Sequence, residues 1–345
     1  MSGRVALVKW ALHDGISDAI GHELAALGHT VVPFGFDQPV PEADTVLTFA
    51  PHGRLLPNIQ QLGRWPAARR PRLVHWSFEG FPDPRLPWPL IAGLGGARAW
   101  LDAQRDSRSA WRRALALSPP AAWVNGRLFR FRYVGDTLHA WRRGWLSVFA
   151  DVSEVYTAIY RRHGVPAHFV PWGTSPLWHA DLGLERDIPA LWMGQRRNAR
   201  RSRLLDEVRA QLGRRGVQMF MADGVERPFI FGEERTRLLN RAKITLNLKT
   251  RWYNSGFAFR FHTVAGNRSL VVSEPFRTHV SRYQAGVHYA VAPPEQLAET
   301  ILYYLDHESE RRALAENAYQ LATTELSLGN SVRQLMQLAA QAGQP

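Results

Sequence analysis

Cysteine is absent from the 345-residue sequence. Disulfide bonds, thiolate nucleophiles and cysteine-based zinc sites are therefore excluded. The sequence also lacks an apolar run of the roughly 20 residues that a membrane-spanning helix needs, and its first residues do not have the layout of a signal peptide. We therefore expect a cytoplasmic protein.

Several short catalytic motifs are missing as well. The sequence has no G-x-S-x-G elbow, no G-x-x-x-x-G-K phosphate loop, no H-E-x-x-H, no D-x-D pair and no two histidines four residues apart. These absences disfavour hydrolases, nucleoside triphosphatases and metal-dependent enzymes. We expect no metal site.

Acidic residues are fewer than basic ones, 30 against 43, which gives a formal net charge of +13. The basic residues are nearly all arginine, whose planar guanidinium makes paired contacts with phosphate. The charge therefore indicates an anionic partner, which is a nucleic acid, a phosphorylated small molecule or an anionic membrane surface. Because of the last of these, the protein could also contact the inner membrane face as a peripheral protein.

Strands and helices alternate in the first half of the chain. The apolar run 5–10 and a second strand at 30–34 flank a helix that Ser17 caps and Gly28 ends. Further strands at 45–50 and 72–76 continue the pattern. Such alternation predicts a parallel sheet, whose ligands bind beyond the carboxyl ends of the strands. The candidate catalytic residues that follow these strands are His13, Asp14 and Glu79.

The second half repeats the alternation, with strands predicted at 190–193, 217–221 and 244–248. The sequence therefore predicts an α/β protein with two doubly wound, Rossmann-like domains that face a cleft. The expected boundaries are 1–172 for an N-terminal domain, 173–330 for a C-terminal domain and 331–345 for a final helix. Between the halves, 95–117 is predicted as one long helix and 121–144 as strands around a turn at Gly135-Asp136.

A candidate phosphate site lies after the first strand of the second domain. Gly194 lets a ligand approach the backbone, and the helix that follows begins with several arginines, of which we name Arg200 and Arg203. A diphosphate would be neutralised there without a metal. The alternative is a solvated basic helix start.

The stretch RFHTVAGNRSLVVSEPF, residues 260–276, supplies a second set of candidates. It predicts a short helix, a turn at Gly266-Asn267 and a buried strand that ends at Glu274. Arg260 is expected to hold a phosphate oxygen, and Glu274 to accept sugar or ribose hydroxyls or to form a structural ion pair. Asn247, at the end of the preceding strand, is expected to line the same site.

Four segments in this order resemble the GT-B-fold glycosyltransferases, in particular the branch with the spore-maturation-type proteins. They are HDGISDAIGHELAALGHTV, FADVSEVYTAIYRRHGVPAHFVPWGT, RFHTVAGNRSLVVSE and YQAGVHYAVAPPEQLAETILYYLDHESERRALAENAYQLA. The family usually has Arg-x-Glu and a glycine five residues after the Glu. This chain has His262 and Asn267 at those two positions, next to Arg260.

The resemblance implies transfer of a hexose-type sugar from a nucleotide-diphosphate-sugar donor to an acceptor that is a glycan, protein, lipid or small molecule, with no cofactor besides the donor. It also implies that the N-terminal domain, 1–172, binds the acceptor and that the C-terminal domain, 173–330, binds the nucleotide sugar. Catalysis would come from Arg200, Arg203, Arg260 and helix dipoles acting on the departing diphosphate. If the reaction inverts the anomeric centre, His13, Asp14 or Glu79 would act as the base. Retention would need no such base.

Three alternatives stay open at this point. His262 and Asn267 in place of the family residues suggest a catalytically silent relative that binds nucleotide sugars. The arginines and aromatic residues of RLFRFRYVGDTLHAWRRGW, 127–145, suggest a nucleic-acid-binding protein. An epimerase on the same two-domain fold is the third.

Overall fold

The structure is a computed structural model that describes residues 3–9, 15–35, 38–50, 60–78, 80–105, 107–196, 199–251, 259–276 and 282–342. The chain divides into two units. The first consists of Met1–Pro171 together with Val332–Pro345, and the second of Trp172–Ser331. Each is built on its own parallel sheet.

The sheet of the first unit has six parallel strands in the order β2-β1-β3-β4-β5-β6. The strands are β1 Arg4–Lys9, β2 Thr30–Gly35, β3 Thr45–Ala50, β4 Arg72–Ser77, β5 Val148–Asp151 and β6 Ala167–Phe169. Helix α1, Gly15–Ala26, buries Ile20 and Leu24 and ends before Gly28, whose φ is 83°. The predicted strands at 5–10, 30–34, 45–50 and 72–76 correspond to β1–β4, although residue 10 lies outside the described residues.

Four consecutive helices lie between β4 and β5. They are α2 Trp88–Arg105, α3 Ala110–Leu117, α4 Pro119–Arg127 and α5 Phe131–Arg142. The prediction of strands and a turn over 121–144 was wrong, and the single helix predicted over 95–117 is two helices. Gly135-Asp136 suggested a turn, but both residues are buried within α5, where tertiary packing outweighs the local preference.

Gly135 is required where α2 and α5 cross. A methyl group added at Gly135 would lie 1.9 Å from the carbonyl oxygen of Gly95 on α2. One turn further along, Arg98 and Asp102 form an ion pair of 2.5 Å, and the Asp102 carboxylate lies 3.6 Å from Arg132 of α5. The two backbones therefore touch at the glycines, and a buried ionic cluster holds the helices beside them.

The second unit contains five parallel strands in the order β11-β10-β9-β7-β8. They are β7 Ile188–Met193, β8 Met219–Ala222, β9 Ala242–Asn247, β10 Leu270–Ser273 and β11 Ala290–Val291. Its helices are α7 Ala199–Arg214, α8 Gly232–Arg241, α9 Phe259–Ala265, α10 Leu297–Asp306 and α11 Glu308–Thr323. Helix α6, Glu154–Arg162, belongs to the first unit, as does α12, Leu328–Gln341, from Val332 onward.

Both faces of this second sheet are covered. Side chains on one face, such as Trp192, Ile244 and Val272, pack with residues of α7 and α10. Leu191 and Val271 on the other face pack with residues of α8, α9 and α11. The chain goes from β8 back past β7 to β9, so the order reverses between β7 and β9, where doubly wound sheets bind ligands.

We predict that Gly135→Ala destabilises the protein by about 2 kcal/mol or more, because the new methyl group must push α5 away from the Gly95 carbonyl. The matched control is Gly96→Ala, since Gly96 lies on the same helix as Gly95 and has open space where the methyl group would go. That variant should be unchanged or more stable by up to about 1 kcal/mol. Urea unfolding measures both, and equal stabilities would contradict the close crossing.

Candidate functional site

A cavity of about 330 Å³ lies at the carboxyl ends of β7, β8 and β9 in the second unit. Its walls include the last residues of these strands, which are Met193, Ala222 and Asn247. The size falls within the range of small-molecule sites, and the position is the switch point of the sheet.

Three arginines line the cavity, one from the beginning of each of three helices. Arg201 lies in the first turn of α7, Arg235 in that of α8 and Arg260 in that of α9. Lys249, in the loop after β9, is a fourth basic lining residue. The alternating fold therefore brings basic side chains that are far apart in the sequence to one wall.

Arg260 is held against the end of β7. Its guanidinium carbon lies 4.2 Å from the centre of the Trp192 ring, a cation–π distance. Gly194 leaves room for this packing, because a methyl group there would lie 2.0 Å from Arg260 Nη2. Gly194 also has a φ of 130°, which side chains rarely adopt. The glycine and the indole thus fix the position of the cation.

The other two cations are fixed differently. Arg201 donates hydrogen bonds to the carbonyl oxygens of Gln195, at 3.0 Å, and Leu248, at 3.2 Å, and to Thr250 Oγ1, at 2.9 Å. Arg235 lies over the ring of Phe259, with its guanidinium carbon 5.4 Å from the ring centre. Its buried Nε has no hydrogen-bond acceptor among the described residues, so this donor is available to a ligand.

The described lining of the cavity has a net positive charge. Burial, and then the charge of Arg201, lower the pKa of Arg260 to about 9. Burial also lowers the pKa of Arg201 and of Arg235, while Glu274 opposes the shift at Arg201. No aspartate or glutamate belongs to the described lining, and all three guanidinium groups keep their charge at neutral pH. An anion that entered would relieve the repulsion between them.

Four phenylalanines also line the cavity. Phe229 and Phe231 come from the segment before α8, Phe259 begins α9 and Phe276 follows β10. A cavity with both basic groups and planar apolar groups suits a ligand that has an anionic part and a ring.

Glu274 forms an ion pair instead of lining the cavity. Its carboxylate is buried and accepts hydrogen bonds from both terminal nitrogens of Arg200, of which the Nη1 bond is 3.2 Å. It also accepts one of 2.8 Å from the backbone N–H of Lys249. The Arg200–Glu274 pair therefore connects the start of α7 to the loop that carries Lys249. The structural alternative that the sequence left open for Glu274 matches this geometry.

His262 and Gly266 also face away from the cavity. His262 is buried, and its Nδ1 lies 3.3 Å from the hydroxyl oxygen of Tyr283. Gly266 allows close packing, since a methyl group there would lie 2.9 Å from Thr174 Oγ1. Both residues therefore contribute to packing within the second unit.

Asn267 uses its whole side-chain amide within the protein. Its Nδ2 donates to the carbonyl oxygens of Trp178, at 2.9 Å, and Thr263, at 2.8 Å. Its Oδ1 accepts from Asn240 Nδ2 at 3.0 Å and from the Ala180 backbone at 3.4 Å. The residue thereby holds the segment 178–180 against the end of α9.

Of the residues predicted from the sequence, the cavity brings together Gly194, Asn247 and Arg260. Arg203 lies exposed on α7 and is not part of the lining. His13, Asp14 and Glu79 lie outside the described residues. Sequence reasoning did not single out Arg201, Arg235 or Lys249. The sequence did contain a signal for Arg235. It lies in the first turn of a helix that follows a strand, and this position is at the same edge of the sheet as Arg260.

Neither a metal cluster nor a membrane span is found in the described part of the chain. No group of three or more histidine, aspartate or glutamate side chains there could hold a metal ion. Every helix described is too short or too polar to cross a membrane.

Residues 197–337 match the family model described as glycosyl transferase-like. The chain also superposes over 98% of its length on sucrose-phosphate synthase from Thermosynechococcus elongatus, with 98% of that chain covered, 12% identity and a TM-score of 0.60. The chain has the GT-B fold. The fold class predicted from the sequence is thus confirmed.

Two structures of HepE from Anabaena share this GT-B fold. The complex with UDP-glucose has a TM-score of 0.55 and 10% identity, and the complex with UDP and glucose has 0.57 and 9%. Both comparisons cover 98% of this chain and 100% of the other. No curated protein matches the sequence. At these identities the neighbours establish the fold.

We predict that Asn267→Ala destabilises the GT-B chain by at least about 2 kcal/mol, because it leaves buried hydrogen-bonding groups without partners. The control is Asn317→Ala, an exposed asparagine with one hydrogen bond, to the Val287 carbonyl, which should change stability by less than about 0.5 kcal/mol. Chemical denaturation compares the two. A loss at Asn267 no larger than at Asn317 would show that this network contributes nothing.

Proposed function

We propose that the protein transfers a sugar from a nucleotide-diphosphate-sugar donor to an acceptor. The observation that carries the proposal is the cavity at the switch point of the second sheet, which Arg201, Arg235 and Arg260 line without a facing carboxylate. A diphosphate supplies two or more negative charges that such a cluster would neutralise. The family match over 197–337 supports sugar transfer as the reaction.

In this proposal, the basic and the apolar side chains of the cavity bind different parts of the donor. The diphosphate lies against the three guanidinium groups, whose planar forks suit phosphate oxygens. The nucleobase packs among the phenylalanines of the apolar wall, such as Phe229 and Phe231. Asn247 and Thr263 supply neutral polar groups.

Catalysis follows from where charge develops. As the bond between sugar and diphosphate breaks, negative charge grows on the leaving phosphate oxygens. Cations that are already fixed by Trp192, Gly194 and the carbonyl oxygens around Arg201 stabilise that charge without rearranging. Because arginine does this, we propose that the reaction needs no divalent metal.

The acceptor side is proposed to lie with the first unit. His13 and Asp14 follow β1, and Glu79 follows β4 in the sequence, so an inverting transfer would draw its base from these three. The two HepE complexes, one with UDP-glucose and one with UDP and glucose, support a uridine nucleotide and a hexose as the first donor to test.

A ligand-binding experiment tests the function directly. UDP at about a hundred times its dissociation constant should stabilise the protein by about 2.7 kcal/mol, which raises the melting temperature by several degrees. Uridine, which lacks the phosphates, should give a much smaller shift. Release of UDP from UDP-glucose, with and without a panel of acceptors, should be unaffected by EDTA.

The outcomes of that experiment separate the alternatives. Binding of UDP with no turnover on any acceptor would indicate a silent binding protein. Turnover that EDTA abolishes would overturn metal independence alone. Equal shifts of the melting temperature with UDP and with uridine would contradict the diphosphate site.

We predict that Arg260→Ala lowers UDP affinity or donor turnover at least tenfold, since a charge-assisted contact with phosphate contributes roughly 1.5–3 kcal/mol. The matched control is Arg203→Ala, which removes the same charge from an exposed position on α7 outside the cavity. That variant should stay within about twofold of the wild type. Isothermal titration with UDP distinguishes a local contact from the general effect of net charge, and equal losses in both variants would contradict the site.

A further inference from the structure

A short segment of the first unit exposes an unusual number of large apolar side chains. We define the docking segment as residues 107–129, which comprises α3, α4 and their flanks. Its exposed apolar residues include Trp111, Leu117 and Trp123, whose side chains are 63%, 65% and 62% accessible, as well as Leu115 and Phe129. Soluble surfaces rarely place this many large apolar side chains so close together in the chain without a binding role.

Helix α3 is oriented with its apolar side toward solvent. At about 3.6 residues per turn, Trp111, Leu115 and Leu117 lie on one side of the helix together with Ala110 and Ala114. All of these residues are exposed. The one residue of α3 that is buried is Ala116, on the opposite side. A surface helix of a soluble protein normally turns its apolar side to the core, whereas the apolar face of α3 has no partner among the residues that the structure describes.

The charge of the docking segment has one sign. It contains four arginines, Arg108, Arg112, Arg113 and Arg127, and no acidic residue. All four are exposed. The guanidinium carbon of Arg112 lies 5.3 Å from the Trp111 ring centre, and that of Arg127 lies 4.6 Å from the Trp123 ring centre. Cations therefore stand directly beside the exposed indoles.

We propose that the docking segment binds the surface of an anionic lipid membrane. Tryptophan is suited to the interface between headgroups and acyl chains, leucine inserts below it, and arginine pairs with lipid phosphates. The arrangement of apolar side chains bordered by Arg112 and Arg113 is that of a helix that lies in the plane of the interface.

The same observations disfavour two other occupants. A second copy of the chain would bring a like-charged arginine cluster against this one, which opposes association. A nucleic acid would satisfy the arginines and could stack on the indoles, but it offers nothing apolar for Leu115 and Leu117. An anionic lipid surface matches both the charge and the aliphatic groups.

Vesicle sedimentation with the full chain tests this proposal. Wild type should bind vesicles that contain about a third phosphatidylglycerol at least tenfold more tightly than vesicles of phosphatidylcholine alone, because each exposed arginine near an anionic surface contributes roughly a factor of five. The triple variant W111S/L115S/L117S should bind the anionic vesicles at least tenfold more weakly. The double variant R112Q/R113Q should lose most of the preference for the anionic lipid.

The matched control removes three exposed apolar side chains from the second unit, L177S/V225S/V287S, and should bind like the wild type. Circular dichroism melting confirms that each variant is folded. Equal vesicle binding by the two triple variants, or no vesicle binding by folded wild type, overturns the proposal. Two other results would also overturn the proposal if vesicles are not bound. One is binding of a random-sequence RNA that depends on Trp111, and the other is dimerisation that depends on Trp111, measured by sedimentation equilibrium.

Discussion

The packing of Arg260 on Trp192 is the interaction on which the site in the second unit depends. The indole is fully buried and belongs to β7, so it cannot move without disturbing the sheet. Its ring holds a cation at 4.2 Å, and only a residue without a side chain at 194 leaves room for that cation. The core of the sheet therefore fixes a positive charge at the edge of the sheet. A flexible surface arginine would instead lose conformational entropy each time a ligand bound to it.

The Arg200–Glu274 pair explains why the cavity stays positive. Glu274 is the buried carboxylate at the end of β10, and left unpaired there it would attract the cavity arginines. Arg200 and the Lys249 backbone satisfy it instead. The neighbouring Arg201 is bound by carbonyl oxygens and a hydroxyl, which fix its position without cancelling its charge. Two adjacent arginines on one helix thus have different tasks, one in an internal ion pair and one facing the cavity.

The sequence predicted most of the sheet strands because a buried parallel strand is a nearly continuous apolar run, as in the regions of β1, β7 and β10. It predicted a phosphate site after β7, and Gly194 and Arg260 of that prediction line the cavity. It named Arg200 where the cavity has Arg201, because about 100° of helix rotation separates the two and tertiary packing sets that rotation. Asn267 looked like a ligand in the sequence because three of its four hydrogen-bond partners, Trp178, Ala180 and Asn240, lie in distant segments. The strands predicted over 121–144 failed since aromatic residues there favour β-structure, whereas contact with α2 imposes α5.

The direction in which the apolar side of helix α3 points could not be predicted from the sequence, and the reason is physical. Its sequence, AWRRALAL, has a clear apolar side, and such a side normally predicts burial. The periodicity of apolar residues shows that a helix has an apolar face but not where that face points. A face that packs on the core and a face that contacts a lipid surface have the same spacing of apolar residues. The direction is decided by what else the neighbouring elements must bury. Here α2 packs against α5 through Gly95 and Gly135, and in the described part of the chain α3 buries its Ala116 side and turns its tryptophan and leucines outward.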